Sequence, residues 1–288
     1  MEAMKDAHAI RWLCQLWGVA PSGYYRWRHG RPSARQRADG ALAVQITAAH
    51  EASRGTYGAP RIVEDLREAG TRTSKRRCAR LMRDQGLRGR KKHRRRPRTT
   101  DSRHAQPVAA NLLAQRPAPT GPNQCWLTDI TYLQTAEGWL YLAAILDRWS
   151  RRIVGWACGP TLHTCLVLAA LADALKRRRP PTGLLHHSDR GSQYVDEDYV
   201  TALAAAGIER SMSRAGNCYD NAAMESFWST LKTDTGLDTA IPASRRHAEL
   251  AVFDYIETFY NPTRRHSSLG YVSPVVFEKQ QTLNIKAA

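Results

Sequence analysis

The sequence predicts a layered α/β domain, a mixed five-stranded sheet with flanking helices, preceded by small all-α regions. Three observations carry this. Hydrophobic spacing changes from a helical period to strict alternation at Cys125. From there the predicted order is βββαβαβα, which stacks helices on a sheet. Charge is also split along the chain. Of 43 Lys and Arg and 26 Asp and Glu, residues 1–104 hold 25 and 9, a net of +16, whereas residues 105–288 hold 18 and 17.

The length of 288 residues allows one large domain or two to three small ones. A polycationic third implies phosphate backbone as partner, because such contacts release counterions. An anionic membrane surface competes, but the cations are not laid on a strongly apolar amphipathic helix. The run Cys165–Ala172 is far short of the ~20 residues a membrane span needs. No secretory signal opens the chain, and the six cysteines contain no C-x₂-C pair, so packed, reduced thiols and a cytoplasmic location without a membrane partner are expected.

Residues 1–34 form a helical segment broken at Gly18–Ser22, with Ser22 placed to cap a second short helix carrying Tyr24, Tyr25, Arg26, Trp27 and Arg28. A helix-turn-helix and a plain hairpin both fit it. Residues 35–90 are clearer. Pro60 opens a helix with Ile62, Val63, Leu66 and Ala69 inward, ending at Gly70; Ser74 caps a second with Cys78, Leu81 and Met82 inward. That second helix turns Lys75, Arg76, Arg77, Arg80 and Arg83 outward against one acid, Asp84, which favours a DNA-recognition helix over a merely solvated face. Residues 91–123 form a basic linker containing Pro107, Pro117, Pro119 and Pro122.

The α/β domain spans 124–280. Trp126–Leu133 alternates, with Leu127, Asp129, Thr131 and Leu133 on one face, and 138–146 and 152–157 follow as an antiparallel meander. Thr164–Lys176 is a covering helix, 183–188 a fourth strand, 197–206 a helix and 207–212 a fifth strand. A helix then runs from Ala222 to Thr233, capped by Asp220 or Asn221, and a last one lies near 245–260. On the helix from Ala222, Met224, Phe227, Trp228 and Leu231 share an apolar side, while Glu225 and Lys232, two turns apart, share another.

Three acids stand out. Asp129 lies inside a strand, Asp189 at the C-terminal end of another where α/β sheets place ligands, and Glu225 on a rigid helix. Converging carboxylates repel unless a cation neutralises them, and hard oxygen ligands suit Mg²⁺ or Mn²⁺. Two such ions about 3.5–4 Å apart would serve phosphodiester chemistry. Each acid alone has an ordinary reading: a hydrogen-bonded strand acid, a turn cap before Gly191, a surface charge. The acidic run Asp196–Asp198 suits a helix cap and first turn better than a ligand set.

The motifs Trp126-Leu-Thr-Asp129-Ile-Thr-Tyr132, His187-Ser-Asp189-Arg-Gly-Ser-Gln-Tyr194, and Ser211–Asn217 through Asp220–Glu225 to Lys232 resemble the DDE transposases of bacterial insertion sequences. The tail Tyr255–Asn261 and Arg265–Pro274 resembles them too. The likeness is to the OrfB product of the IS-three family, with its retroviral-integrase-like core, and it covers nearly the whole chain. It implies an RNase H-like fold with Asp129, Asp189 and Glu225 binding two Mg²⁺ ions, Mn²⁺ substituting. It further implies Lys232 on the element's terminal DNA, and Arg190, Gln193, Asn217 and Asn221 lining the site. The implied reaction is nicking that frees a 3′-OH, then attack of that hydroxyl on target DNA. Implied partners are terminal inverted repeats, target DNA, further copies of the chain on DNA, and the upstream-frame OrfA product, all at the bacterial nucleoid. An RNase H-like nuclease that only cuts, and a DNA-binding regulator with an idle triad, are the alternatives.

Overall fold

The structure is a computed structural model that describes residues 2–30, 32–90, 109–214 and 221–287, the last four by backbone alone. It divides into two compact units, residues 1–89 and 90–288.

The first unit is helical throughout. Helix α1 (Ile10–Leu16) and helix α2 (Pro21–Arg28) are joined by a turn at Gly18, φ +62°. Proline at the first position of α2 takes the place of a cap, so the chain enters the helix from Ala20 and Ser22 lies within it instead of capping it. Helix α3 (Ala34–Ala52) opens on a reciprocal capping box, Ser33 with Gln36. Helix α4 (Ala59–Glu68) and helix α5 (Lys75–Asp84) pack against it, burying Leu42 and Ile46 of α3, Ile62, Val63 and Leu66 of α4, and Cys78, Leu81 and Met82 of α5. Gly70 (φ +83°) supplies the left-handed residue that ends α4, and Ser74 Oγ accepts the Arg77 N–H at 3.2 Å to start α5.

The second unit holds a five-stranded sheet: β1 (Cys125–Thr135), β2 (Gly138–Asp147), β3 (Ile153–Gly159), β4 (Leu185–Ser188) and β5 (Glu209–Met212), in the order β3-β2-β1-β4-β5. β1, β2 and β3 form the antiparallel meander; β4 joins β1 in parallel and β5 joins β4 in parallel. With its flanking helices this mixed sheet is RNase H-like. Helix α6 (Thr164–Arg178) lies on β3 and β2, helix α7 (Glu197–Ala205) links β4 to β5, and helix α8 (Ala222–Thr235) approaches β1. Trp126, Ala143, Ile145, Val154, Leu171 and Tyr199 belong to the core between sheet and helices. Gly155 lets α6 approach closely: a Cβ there would fall 2.6 Å from Ala174 Cβ and nearer still to the Ala170 carbonyl. Asp196 accepts the Asp198 N–H and caps α7, so the acidic run does serve a helix start.

The C-terminal part exceeds expectation. Helix α9 (Arg245–Phe253) passes into a wider turn at Asp254–Tyr260, and a further helix, α10 (Pro274–Ala287), follows where none was anticipated. Its sequence mixes polar and apolar residues without a clear stripe, and one acid, Glu278, fixes it. Glu278 takes Arg178 at 2.8 Å and Arg152 at 2.7 Å, while Phe277 packs on Trp149. Asn261 clips the start of β3, accepting from Ile153 N and donating to Ile153 O, both at 2.9 Å. At the other end, the proline-containing stretch is partly docked: Ser211 Oγ of β5 accepts from Leu112 N (3.0 Å) and Leu113 N (3.3 Å), and Leu113 is buried. Residues 91–108 of the expected linker lie outside the described residues.

His186 of β4 is buried with Nε2 3.1 Å from the Tyr199 hydroxyl, and burial, then the neighbouring His187, hold it down to about 3. Its folded pKa is thus below the unfolded value near 6.5, so the unfolded chain binds the extra proton. Stability from this group is complete above about pH 6.5 and falls by up to about 1.4 kcal/mol per unit as pH drops toward 3. Urea unfolding of wild type and His186→Gln at pH 7 and 5 should show a smaller loss in the variant. Equal losses would refute it.

Candidate active site

Strand register positions the first two acids. β1 and β4 run in parallel with Cys125 opposite Leu185, Trp126 opposite His186 and Leu127 opposite His187. Two residues further along come Asp129, inside β1, and Asp189, just beyond the last residue of β4, so the parallel register brings them level at the C-terminal end of β4. This is where an open sheet with parallel strands leaves a crevice. Both are half-buried.

Each carboxylate is held. Asp129 Oδ1 accepts its neighbour's backbone N–H, Ile130, at 2.9 Å, and Oδ2 accepts the Trp228 indole N–H at 2.9 Å. Asp189 Oδ1 accepts Gly191 N–H at 2.9 Å. A Cβ on Gly191 would stand only 3.1 Å from Asp189 Oδ1 and 3.2 Å from Gln193 Oε1, so a bare backbone suits this turn. Beneath it, the hydroxyls of Tyr194 and Thr128 lie 3.4 Å apart.

Burial first, then the charge on Asp189, push the Asp129 carboxyl far above the ordinary range; Glu225 adds in the same direction, and the Trp228 and Ile130 bonds oppose. Glu225 stands exposed in the first turn of α8, close enough for its charge to reach Asp129. Among the described residues, no three His, Cys, Asp or Glu side chains are gathered as a ligand set, so Glu225 is near the aspartates without being joined to them. The oxygen-only donors and the repelling aspartate pair fit a hard divalent cation. A buried acceptor adds to this: Asn221 Oδ1 has no partner among the described residues.

Lys232 is half-buried; burial lowers its ammonium pKa, while the negative charges of Asp129 and Asp238 raise it. Arg190 Nε donates to Ser213 O at 2.8 Å and Gln193 Nε2 to Leu162 O at 3.1 Å, so backbone carbonyls fix both at the rim. Asn217 and Asp220 lie outside the described residues. Asn221 does occupy the cap position of α8 but makes no capping bond; its backbone (φ −112°, ψ 19°) turns the amide to donate to Thr128 O at 3.3 Å. Sequence periodicity placed Trp228 only in the apolar stripe. Its signal was chemical: a Trp within reach of an acid keeps a polar N–H to be satisfied.

In the helical unit, Lys75, Arg76 and Arg83 are exposed on α5. Arg77 and Arg80 instead reach back to Asp39 of α3, at 2.7 and 2.6 Å, and hold that carboxyl below its usual range. Arg80 also meets Asp84 at 3.2 Å. The signal missed was an unmatched acid on α3, 38 residues before Arg77.

Known proteins resemble the chain in both of its units. An HTH-like domain matches residues 36–96, and integrase core domains match residues 119–218 and 206–274. An uncharacterized 31 kDa protein of insertion element IS600 from Shigella sonnei is 47% identical over 268 residues, 93% of this chain and 98% of the relative. The transposase InsF for insertion sequence IS3A of Escherichia coli is 41% identical over 282 residues, 97% of each. Among solved structures, a simian T-cell lymphotropic virus intasome aligns over 75% of this chain and 70% of that one, with TM-score 0.48 and 14% identity. The HTLV-2 integrase catalytic core domain with magnesium aligns over 53% and 95%, with TM-score 0.41 and 16% identity. Matched along nearly its whole length by these relatives, the chain belongs to the IS3 family of insertion-sequence transposases, with an HTH-like domain followed by an integrase core.

Proposed function

We propose that the chain cleaves DNA at insertion-sequence ends and transfers the freed strand to target DNA, with Asp129, Asp189 and Glu225 holding two divalent ions, Mg²⁺ or in its place Mn²⁺. One observation carries this: two carboxylates brought level on adjacent parallel strands, Asp129 inside β1 and Asp189 just beyond the end of β4, where burial first and then the charge on Asp189 push Asp129 above the ordinary range. Ions bound there would supply Lewis acidity to the reacting phosphodiester.

The protein's own groups prepare the rest. Ile130 N–H and the Trp228 indole fix the Asp129 oxygens, and Gly191 N–H fixes Asp189. Glu225, exposed on the first turn of α8, has rotamer freedom to turn toward the aspartates. Lys232, Arg190 and Gln193 surround the crevice and orient terminal DNA, the cations by pairing with phosphates, while the buried Asn221 amide is engaged on Thr128 O. Water oxygen first attacks phosphorus at the element end and the 3′-OH leaves. That 3′ oxygen then attacks a target phosphorus in line, the target's own 3′ oxygen leaving, with no covalent bond to protein. The competing activity, cutting without joining, is separated by offering a pre-nicked end: joining to target in the presence of Mg²⁺ supports the reading, and release of cut ends alone would refute transfer.

The proposed partners are terminal inverted repeats and target DNA, with further copies of the chain on DNA and the upstream-frame OrfA product, in the cytoplasm at the nucleoid. Among the described residues, no helix is long and apolar enough to cross a membrane. Lys75, Arg76 and Arg83 are the α5 cations proposed to meet phosphate, with Arg77 and Arg80 acting through Asp39. Affinity should fall steeply with salt, chiefly through residues 1–104, and each of Lys75→Ala, Arg76→Ala and Arg83→Ala should reduce the log–log salt slope by about 1. Electrophoretic titration at several salt concentrations measures this, and an unchanged slope would exclude those contacts.

A further inference from the structure

Helix α8 touches β1 through two polar bonds placed on either side of Glu225. Four residues before it, Asn221 Nδ2 donates to Thr128 O at 3.3 Å; three residues after it, Trp228 Nε1 donates to Asp129 Oδ2 at 2.9 Å. The acceptors are consecutive on β1, immediately beyond Leu127, where the described pairing with β4 ends. The donors are seven residues apart, about two helical turns, so both face one side of the helix. On the same count Glu225 lies about 40° from Asn221 and about 60° from Trp228 around the axis. Both donors are 7% exposed, and such bonds are stronger away from bulk water.

We infer that Asn221 and Trp228 are positioning residues that staple α8 to β1 and thereby set where Glu225 stands against Asp129. This rests on the carboxylate assignment proposed above. The two donors do different things. Trp228 fixes the rotamer of Asp129 itself, whereas Asn221 fixes the backbone that carries it. Without the staple, α8 would still pack through Met224, Phe227 and Leu231, but those apolar contacts are non-directional and would let the helix rotate or slide. A helix held only by apolar packing keeps its stability and loses its register. The carboxamide of Asn221 also brings its unpartnered Oδ1 to the same end of the helix, beside the strand bearing Asp129.

Two variants remove the donors, Trp228→Phe at the loss of one buried ring and Asn221→Leu with nearly the same shape. Phe227→Leu serves as the packing control, because Phe227 packs against Trp228 with ring centroids 4.8 Å apart and planes tilted by 49°, and its side chain has no polar atom to offer β1. Mn²⁺ binding to the DNA-free full chain is followed by electron paramagnetic resonance and calorimetry, and strand transfer is titrated with Mg²⁺. Each donor variant should need about tenfold more metal for half-saturation in both measurements. Most of the maximal rate should return at saturating Mg²⁺. Phe227→Leu should lower the unfolding midpoint yet titrate like wild type. If the folded donor variants titrate within about twofold of wild type, the staple is overturned. Should Trp228→Phe fail to fold, Asn221→Leu carries the same test, since it leaves the indole in place. An Asp129→Asn variant separates the two levels. If it binds metal and joins DNA like wild type, the carboxylate assignment itself has failed; if it does neither while the donor variants behave as wild type, only the staple has.

Discussion

Asp189→Asn is expected to lower both end cleavage and strand transfer by at least about 10³-fold, the scale on which losing a group essential to the chemistry acts. The amide keeps the shape of the carboxylate and one acceptor oxygen, so the Gly191 N–H bond and the turn survive. What disappears is the charge that faces Asp129. DNA affinity should stay within about twofold, because affinity comes from phosphate contacts made by cations elsewhere. Losing a negative charge beside a polyanion acts, if anything, toward tighter binding. Parallel binding and cleavage assays on terminal-repeat DNA decide the matter. Equal turnover in mutant and wild type would remove Asp189 from the chemistry, and a parallel collapse of affinity would move it to DNA binding.

The second large effect concerns stability. Asp234, on the last turn of α8, takes Arg264 Nε at 2.6 Å and the Tyr255 hydroxyl at 2.8 Å, and both side chains of the pair are 6% exposed. Removing one partner of such a pair leaves an uncompensated buried charge, whereas replacing both with apolar groups can be neutral. Arg264→Met should therefore cost about 3–5 kcal/mol, and adding Asp234→Leu should recover much of that. Urea unfolding of the two variants measures it. A single variant as stable as wild type would show that water or movement relieves Asp234. Because α8 carries Glu225 and Lys232, the single variant should also turn over more slowly than its folded fraction predicts.

Much of this architecture was written locally. Alternation from Cys125 marked β1, glycines and prolines marked the turns, and Ser74 marked the start of α5. An acid inside a strand and another at a strand end are conspicuous because each defies ordinary burial, which is why Asp129 and Asp189 could be picked out before their register was known. What escaped was pairing at a distance. Asp39 claims Arg77 and Arg80 from across the helical unit, so counting cations on α5 overstated its outward charge. Trp228 filled a slot in an apolar period, and periodicity cannot show that its N–H meets Asp129. Asn221 had the right residue type for a cap, but a nearby strand carbonyl outcompeted the helix's own N–H groups for its side chain. Helix α10 has no stripe to announce it; ion pairs from Arg152 and Arg178, both far upstream, hold it down.

That last helix has a consequence for how the protein comes into being. Asn261 completes the beginning of β3, and Glu278 neutralises two arginines beside the β2–β3 turn, so residues made later finish a sheet begun more than a hundred positions earlier. Domains fold as units during synthesis, and this one lacks these pieces until residue 278 has been made. A nascent chain paused before residue 261 would therefore present an unfinished sheet margin and two half-buried arginines deprived of Glu278, leaving it open to quality control before any DNA is touched.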